Sequence, residues 1–309
     1  MGSLKKSISP WLEEILACPV CKSDVELGGG NALECTNSSC RLEFPVVDGV
    51  PIMLAKLSQH HEYEKHFFDQ EFTHYYKYEL ENWRISYIRR ILDSLGLTCN
   101  ADNYYLDVGV GGSGYTVIEA ARRGCKSVGL DVSIEGIKKA QFFARLELGE
   151  KSDQHGFVVG MAENLPFKKE VFSKLSSVAV LEHVPEDKQA IAEIARVIKP
   201  SGKIFLTVPN DYKRIPPIFW LPYHIWDKKI GHLRHYKAEN LVSEFLHHGV
   251  LTTKVLYSGH LVKVLQNILS RIFPSFNERF SKGWWKLEEM ALRNASPTGL
   301  QLTLLMRRR

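Results

Sequence analysis

Residues 104–133 read YYLDVGVGGSGYTVIEAARRGCKSVGLDVS, and this stretch decides the fold. A largely apolar run over Tyr104–Val108 leads into a glycine cluster, a helical pattern follows from Tyr115, and a second apolar run ends at Asp131. The pattern predicts a strand, a tight turn, a helix and a second strand. Glycines let a ligand approach main-chain N–H groups at a helix start, and an acid at the next strand end can accept hydrogen bonds from a ribose. The stretch therefore predicts a nucleoside-binding site.

The residues before the first glycine separate two kinds of nucleotide site. The dinucleotide fingerprint begins with glycine, whereas here Asp107 stands two residues before Gly109. The string LDVGVGGSG resembles the first motif of the class I S-adenosylmethionine-dependent methyltransferases, with Ser113 at the usual third glycine position as a departure. The resemblance implies that the acid orders the loop around the cofactor. The cofactor-binding residues that it implies in this stretch are Asp107, Gly109, Gly111, Gly112, Gly114, Asp131 and Val132.

Two later motifs extend the resemblance. GMAENLPF resembles the family's adenine loop, although Met161 stands where an acid usually precedes the small residue. VLEHVPE resembles the fourth motif and follows a predicted strand, Lys174–Val180, so its side chains are expected at the carboxyl end of the sheet. His183 is the candidate base for an acceptor proton, and the alternative is a histidine that orders the loop. The further implied cofactor residues are Met161, Ala162, Glu163, Val180 and Glu182.

Strand and helix patterns alternate from Tyr104 onward, which predicts an α/β protein with a doubly wound parallel sheet. The family resemblance implies a Rossmann-like sheet of seven strands whose final strand is antiparallel. That resemblance runs from Tyr104 to Met306 and is strongest up to Asn210.

Composition places the chain among ordinary soluble globular proteins. It has 309 residues, 44% of them hydrophobic and 24% charged, with a net charge of +5 that gives weak support for an anionic partner. No apolar run reaches the roughly 18 residues of a membrane-spanning helix. The start, MGSLKKS, lacks the apolar segment of a signal peptide. These observations predict a cytoplasmic protein.

Four of the six cysteines form two close pairs, CPVC and CTNSSC, with thirteen residues between the pairs. Such knuckles present four thiolates to one tetrahedral ion and leave room for a hairpin, which predicts a structural Zn²⁺. The alternatives are two disulfides or four buried thiols. LACPVCKSDVEL and LEFPVVDGVPIML, within residues 12–54, resemble the zinc-ribbon activator proteins of tRNA and protein methyltransferases. The predicted metal ligands are Cys18, Cys21, Cys35 and Cys40.

Residues 57–96 are rich in aromatic residues, histidine and charge, and the spacing of Trp83, Tyr87, Ile91 and Leu95 predicts a helix before the first strand. In relatives this preceding segment often closes over the cofactor. We interpret the histidines of this segment as a solvated linker face rather than as ligands or catalysts. They are His60, His61, His66 and His74.

Two insertions enlarge the predicted enzyme. Residues 210–236 are rich in Trp, Tyr, His and Pro, which is typical of a small-molecule pocket, and the alternative is a packed aromatic flap. Residues 260–295 carry an apolar stripe that suits either a cap over the pocket or a peripheral membrane contact. The candidates in the first insertion are Tyr223, His224 and Arg234 for the acceptor pocket and His232, His235 and Tyr236 for catalysis.

The sequence therefore predicts a zinc-ribbon domain over residues 1–56 and a class I methyltransferase domain over residues 57–309. The favoured function is transfer of a methyl group from S-adenosylmethionine to a small-molecule acceptor, as O-methylation of a glycan, quinone-like or lipid-linked compound. An RNA or protein methyltransferase and a non-catalytic scaffold are the alternatives. Neither the acceptor nor the oligomeric state follows from the sequence.

Overall fold

The computed structural model describes residues 8–29, 31–54, 57–73, 82–97, 103–149, 152–211, 230–258 and 299–309, with residues 217, 220, 224 and 227. The described helices are α1 (Pro10–Ile15), α2 (Gln59–Thr73), α3 (Asn82–Ser94), α4 (Tyr115–Arg122), α5 (Ile134–Leu148), α6 (Asp187–Val197) and α7 (Ala238–His247). The described strands are β1 (Val25–Leu27), β2 (Ala32–Cys35), β3 (Glu43–Val47), β4 (Val50–Pro51), β5 (Tyr104–Val108), β6 (Lys126–Asp131), β7 (His155–Val159), β8 (Phe172–Val178), β9 (Ile198–Pro209), β10 (Val250–Ser258) and β11 (Gln301–Arg308).

The larger sheet has seven strands in the order β10-β11-β9-β8-β5-β6-β7. Its pairs from β7 to β9 are parallel, and β11 is antiparallel to both β9 and β10. The predicted doubly wound α/β fold with an antiparallel final strand is confirmed. Because the chain passes from β5 to β6 on one side and later to β8 on the other, the carboxyl ends of β5 and β8 border the crevice where such sheets bind ligands.

Helices cover both faces of this sheet, so its central strands are almost wholly buried. Helices α4 and α5 share a cluster of buried side chains on one face, and α3 packs nearby against β5. Helices α6 and α7 share the opposite cluster. This burial on both faces explains why the central strands read as continuous apolar runs in the sequence.

The glycine-rich turn has the geometry that the sequence predicts. Gly114 caps α4 with φ of +60°, and a Cβ at this position would come 2.9 Å from the Cβ of Ala140 on α5. Both the backbone conformation and the close helix packing therefore require glycine here. Ser133 is the N-cap of α5, as predicted, and its hydroxyl accepts a hydrogen bond from the Gly136 N–H at 2.9 Å.

A second, four-stranded antiparallel sheet, β1-β2-β3-β4, forms from the N-terminal residues and joins the large sheet through main-chain bonds. Ile52 pairs in parallel with Val159 of β7, and the Met53 N–H donates to the Val159 carbonyl at 2.8 Å. On α1, Trp11 donates its indole N–H to the Asp153 carbonyl at 2.6 Å and stacks on Tyr104. The two sheets consequently share one cluster of buried side chains.

Helix α2 is the main departure from the predicted elements. The sequence predicts one helix before β5, whereas the structure has two, and α2 packs along α5. Among the described helices, none has the length and apolar character needed to cross a bilayer. The insertion at residues 260–295, with its predicted cap or membrane contact, lies outside the described residues.

Candidate functional site

A cleft of about 730 Å³, open solvent at its mouth included, lies at the carboxyl ends of β5, β6 and β8. Its walls are mostly apolar and include a few buried acidic side chains. The lining residues that the sequence predicted are Gly109, Gly111, Asp131, Val132, Met161, Ala162, Glu163, Val180 and His183. Those it did not predict are His61, Glu64, Phe68, Phe72, Val108, Leu130, Gly160, Ala179, Val184 and Pro185. The remaining predicted cofactor residues, Asp107, Gly112, Gly114 and Glu182, lie around the cleft rather than on its wall.

Asp131 lies at the end of β6 with its carboxylate at the cleft wall. Its two oxygens accept hydrogen bonds from the Gly111 and Ser133 N–H groups, each at 2.9 Å. Burial raises the pKa of the carboxyl, while these backbone N–H groups act in the opposite direction. Each carboxylate oxygen has further lone-pair capacity, so Asp131 can bind a ligand hydroxyl while it holds the glycine turn.

Asp107 is buried beneath the turn rather than exposed to the cleft. Its carboxylate accepts hydrogen bonds from the hydroxyls of Thr116 and Ser176. Burial raises the pKa of Asp107 to about 6. Its contacts tie β5 to α4 and β8, which agrees with the loop-ordering role that the family resemblance implies.

The adenine-loop candidates follow β7 and lie beside Asp131, whose carbonyl accepts a hydrogen bond from the Gly160 N–H at 2.9 Å. Met161 and Ala162 line it and are nearly buried. Glu163 forms a hydrogen bond with His61 of α2, and its Oε1 lies 2.7 Å from His61 Nε2. This bond joins α2 to the loop after β7 and closes one side of the cleft.

His183 follows β8 and presents its ring to the cleft. Its Nδ1 lies 3.4 Å from Glu64 Oε2 on α2, and its ring contacts Phe68 edge-to-face with centroids 5.4 Å apart. Glu64 is only 5% exposed. Neither His183 Nδ1 nor either carboxylate oxygen of Glu64 has a hydrogen-bond partner among the described residues, so the 3.4 Å contact is an ion-pair distance rather than a hydrogen bond.

The other acceptor and catalytic candidates lie beside the cleft or beyond the described residues. Tyr236 donates its hydroxyl to the Leu181 carbonyl at 2.9 Å and lies 3.0 Å from Asp187, and burial raises its pKa well above the usual value. Arg234 donates to the carbonyls of Val184 and Pro185, so it supports the cleft wall from outside. His224 is exposed, and Tyr223 lies outside the described residues.

His232 and His235 both contact Asp227 behind His183. His232 Nδ1 lies 2.5 Å from Asp227 Oδ1, and His235 Nε2 lies 3.1 Å from Asp227 Oδ2. The ring of His232 also contacts that of His183, with centroids 4.9 Å apart. Neither His232 nor His235 lines the cleft.

The four predicted metal ligands lie together in the N-terminal unit, and none forms a disulfide. The sulfurs of Cys18 and Cys40 are 3.7 Å apart, and those of Cys21 and Cys35 are 3.4 Å apart. Zinc–sulfur bonds of about 2.3 Å in a tetrahedron place sulfurs about 3.8 Å apart. The spacing fits one tetrahedral ion.

The interpretation of the α2 histidines as a solvated face is wrong for two of them. His61 binds Glu163 in the cleft, and His60 Nε2 lies 3.2 Å from the His183 carbonyl. His66 is exposed, as expected, and His74 lies outside the described residues. The spacing of His61, Glu64, Phe68 and Phe72 is helical, and this stripe was the signal that could have identified the cleft-facing side.

A model of a known protein family matches the central part of the chain. The family model described as "Methyltransferase domain" matches residues 106–206, which hold the glycine turn, Asp131, the adenine-loop candidates and His183. Over these residues, about a third of the chain, the sequence is similar to that family. The match begins within β5 and ends within β9.

Relatives with similar sequences match the same part of the chain. The ubiquinone biosynthesis O-methyltransferase of Paracidovorax citrulli is 35% identical over 107 residues, which are 34% of this chain and 43% of that protein. The enzyme of the same name from Nitrosomonas europaea is 29% identical over 167 residues, 53% of this chain and 66% of that protein. The chain thus spans about half the length of such relatives.

Solved methyltransferase structures share the fold over more of the chain. Geranyl diphosphate C-methyltransferase from Streptomyces coelicolor superposes with a TM-score of 0.57 at 15% identity, covering 82% of this chain and 100% of that one. A putative sarcosine dimethylglycine methyltransferase from Galdieria sulphuraria gives 0.55 at 16% identity, covering 79% and 98%. At these identities the likeness concerns the fold alone.

Proposed function

We propose that this protein binds S-adenosylmethionine in the cleft and transfers its methyl group to the oxygen of a small-molecule acceptor. The observation that carries the proposal is the position of Asp131, a buried carboxylate that holds the glycine turn and also reaches the cleft. The methyltransferase domain match over residues 106–206 supports the choice of cofactor.

The residues around Asp131 suit the parts of this cofactor. The carboxylate of Asp131 would accept hydrogen bonds from the two ribose hydroxyls. Gly109 has φ of +78°, and a Cβ there would come 2.2 Å from Val180 Cγ2, so only glycine leaves the cleft open at this point. Met161 and Ala162 would pack against the adenine. When bound, the cofactor supplies an activated methyl group on a sulfonium.

His183 would act on the acceptor. Its imidazole faces the cleft, so it would take the proton of an acceptor hydroxyl as that oxygen accepts the methyl group which the bound cofactor would supply. Glu64 behind it would orient the ring and stabilise the imidazolium. Phe68 and Phe72 of α2 would keep water from the reacting groups.

The acceptor that the cleft suits best is a small, largely apolar hydroxyl compound of the quinone-like class. The walls offer Phe68, Phe72, Leu130, Val180 and Val184 and few polar groups, which favours an aromatic ring over a glycan. Relatives named ubiquinone biosynthesis O-methyltransferase, matched over a third to a half of this chain, support the same class.

We also propose that the four cysteines bind a structural Zn²⁺ within a domain formed by residues 1–56. Four thiolates fill a tetrahedral shell and leave no position for a substrate. Since α1 and β4 pack on the large sheet, the ion would stabilise the whole chain rather than a separate module.

Isothermal titration with S-adenosylmethionine and S-adenosylhomocysteine tests the cofactor. Asp131→Ala should weaken binding by roughly tenfold or more, because hydrogen bonds to a charged group contribute about 1.5–3 kcal/mol. The matched control is Asp153→Ala, at an exposed aspartate before β7, which should bind as the wild type does. Equal affinity in Asp131→Ala and the wild type would overturn the assignment of the cleft.

Incubation with methyl-labelled cofactor and fractionated extract tests the acceptor. Label should enter the small, apolar, hydroxyl-bearing fraction and should be lost in His183→Ala, whose affinity for the cofactor should be kept. Label in RNA or protein would exclude a small-molecule acceptor while leaving the cofactor site intact.

A further inference from the structure

A buried polar cluster lies behind His183, outside the cleft. Asp227, His232 and His235 come from the segment before α7, and Glu182 comes from the loop after β8. The side chains of Asp227, His232 and His235 are 8%, 9% and 14% exposed. The methyl transfer proposed above uses none of these four residues.

One imidazole in this cluster is placed between two carboxylates. His232 Nδ1 lies 2.5 Å from Asp227 Oδ1, and on the other side of the ring Nε2 lies 3.9 Å from Glu182 Oε1. His235 Nε2 reaches the second oxygen of Asp227 at 3.1 Å. Backbone bonds from Ile230 and His232 to the Asp227 carbonyl close a turn that holds these side chains together.

Glu182 has an oxygen that the described residues do not satisfy. Its side chain is 1% exposed, and Oε2 accepts no hydrogen bond within the described part of the chain. Burying a carboxylate without partners is costly, and a nearby cation is one of the few ways to offset that cost. A cation bound in the cluster would offset that cost.

The spacing of the three residues from the 227–235 segment matches a metal triad. One ligand atom from each of Asp227, His232 and His235 lies within 4.8 Å of the other two, and the contacts to Asp227 are 2.5 and 3.1 Å. Neighbouring ligands around an ion with bonds of about 2.1 Å lie about 3.0 Å apart in an octahedron and about 3.4 Å apart in a tetrahedron. The contact between His235 and Asp227 fits this range, whereas the contact between His232 and Asp227 is a hydrogen bond that would lengthen when an ion binds. Two imidazoles and a carboxylate on one face are a set that divalent first-row transition ions favour.

We propose that Asp227, His232 and His235 bind one divalent transition-metal ion, with Glu182 as the outer carboxylate that faces His232 Nε2 at 3.9 Å. Metal-bound histidines commonly donate their second N–H to a carboxylate, which fixes the ring and its tautomer. Three protein ligands leave positions open for water or another small ligand. The ion would tie the 227–235 segment to the end of β8, directly behind His183.

Cobalt is a suitable probe because its spectrum separates the two metal sites. The full-length protein, treated with a chelator and then titrated with Co²⁺, should bind two equivalents. The cysteine site gives strong thiolate-to-cobalt charge transfer, whereas an Asp/His₂ site gives only weak visible bands. We expect His232→Ala and His235→Ala each to lose the weak bands and one equivalent. His66→Ala, at an exposed histidine of α2, should keep both.

A gentler variant guards against misfolding. Glu182→Gln preserves the shape of the side chain and should weaken the second equivalent by about 10–100-fold, as loss of an outer carboxylate does in other metal sites. The proposal would be overturned if the wild type bound only the one Co²⁺ ion held by the cysteines. It would also be overturned if His232→Ala and His235→Ala bound the second Co²⁺ ion as tightly as the wild type does. Neither measurement requires the methyl donor, so the result is independent of the proposed transfer reaction.

Discussion

The bond between His61 and Glu163 makes the residues over the cleft sensitive to pH. The 2.7 Å contact with Glu163 raises the pKa of His61 above its usual value of 6.5. A histidine whose pKa is raised in the folded state stabilises the protein fully below the unfolded-state pKa, and this stabilisation is lost as pH rises through the folded-state pKa. The bond should therefore contribute most in mildly acidic solution.

Thermal unfolding between pH 5 and 9, a range of about two units on either side of the usual histidine pKa, tests this bond. The stability lost in His61→Gln should be greatest at the acidic end and should shrink above the usual histidine pKa. His66→Gln, an exposed histidine on the same helix, should follow the wild type at every pH. A pH-independent loss in His61→Gln would show that the charged bond contributes nothing.

Glu64 is a positioning residue if His183 is the base. Glu64→Gln keeps the packing but removes the charge that lies 3.4 Å from His183 Nδ1. We expect kcat to fall by roughly one to two orders of magnitude, with the affinity for the cofactor unchanged. Glu62→Gln, at an exposed acid two residues earlier in the same helix, should retain full activity. Equal loss of kcat and of cofactor affinity would instead indicate a structural role.

Some of the site residues could be predicted from local sequence and others could not. Asp131 and Gly111 belong to one strand-turn-helix unit, so their approach follows from the motif itself. Glu64 lies far earlier in the chain, and its burial depends on how α2 packs over α5. The aromatic sequence around Arg234 predicts a place in the acceptor pocket. In the structure its guanidinium instead donates hydrogen bonds to carbonyls of the loop after β8.

Among the elements, α2 is joined to the start of α5 by one of its own side chains. Asp69 Oδ1 accepts hydrogen bonds from the Ser133 hydroxyl at 2.5 Å and the Glu135 N–H at 3.1 Å, at the start of α5. Although burial acts to raise the pKa of Asp69, the hydrogen bonds from Lys65, Ser133 and Glu135 lower it overall. The charged carboxylate thus joins α2 to the positive end of α5.

Asp69→Ala should loosen α2 without unfolding the sheet. Loss of a capping acceptor costs about 1–2 kcal/mol, so we expect faster amide hydrogen exchange across Gln59–Thr73 and weaker binding of the cofactor. Glu71→Ala removes an exposed acid from the same helix and should change neither. Unchanged exchange in Asp69→Ala would mean that the other contacts of α2 hold the helix in place without this carboxylate.

The remaining helices and strands of the large sheet could be predicted to within a few residues because each carries its own periodicity and boundary signals. Ser133 before α5 is one such signal, and the apolar run that becomes β5 is another. Helix α2 has side chains at helical spacing but no purely apolar stripe. Its stripe toward the cleft mixes His61 and Glu64 with aromatic residues, and polar residues that become buried are read from sequence as solvent-facing.

At the level of the whole molecule, the N-terminal unit and the large sheet should unfold together. Leu12 is 2% exposed within the shared cluster, and a Cβ on Gly156 of β7 would come 2.8 Å from Leu12 Cδ2. Leu12→Ala should cost about 2–5 kcal/mol and shift one cooperative transition that both sheets follow. Val20→Ala, at a side chain 54% exposed on the N-terminal unit, should change little. Two separate transitions would contradict a shared core.

The contacts of the N-terminal unit with β7 also restrict how copies of the chain can polymerise. Unpaired N–H and C=O groups on the rim of a sheet template the addition of foreign strands. The Met53 N–H pairs with the Val159 carbonyl at the carboxyl end of β7, and the Trp11 indole N–H pairs with the Asp153 carbonyl just before the strand begins. These two carbonyls are therefore not available to a foreign strand. In the described part of the chain, β10 is then the rim strand with no neighbour on its outer side. We therefore expect fibrils or strand-exchanged dimers to form by pairing at β10. Loss of the cysteine cluster should expose β7 as a second edge strand.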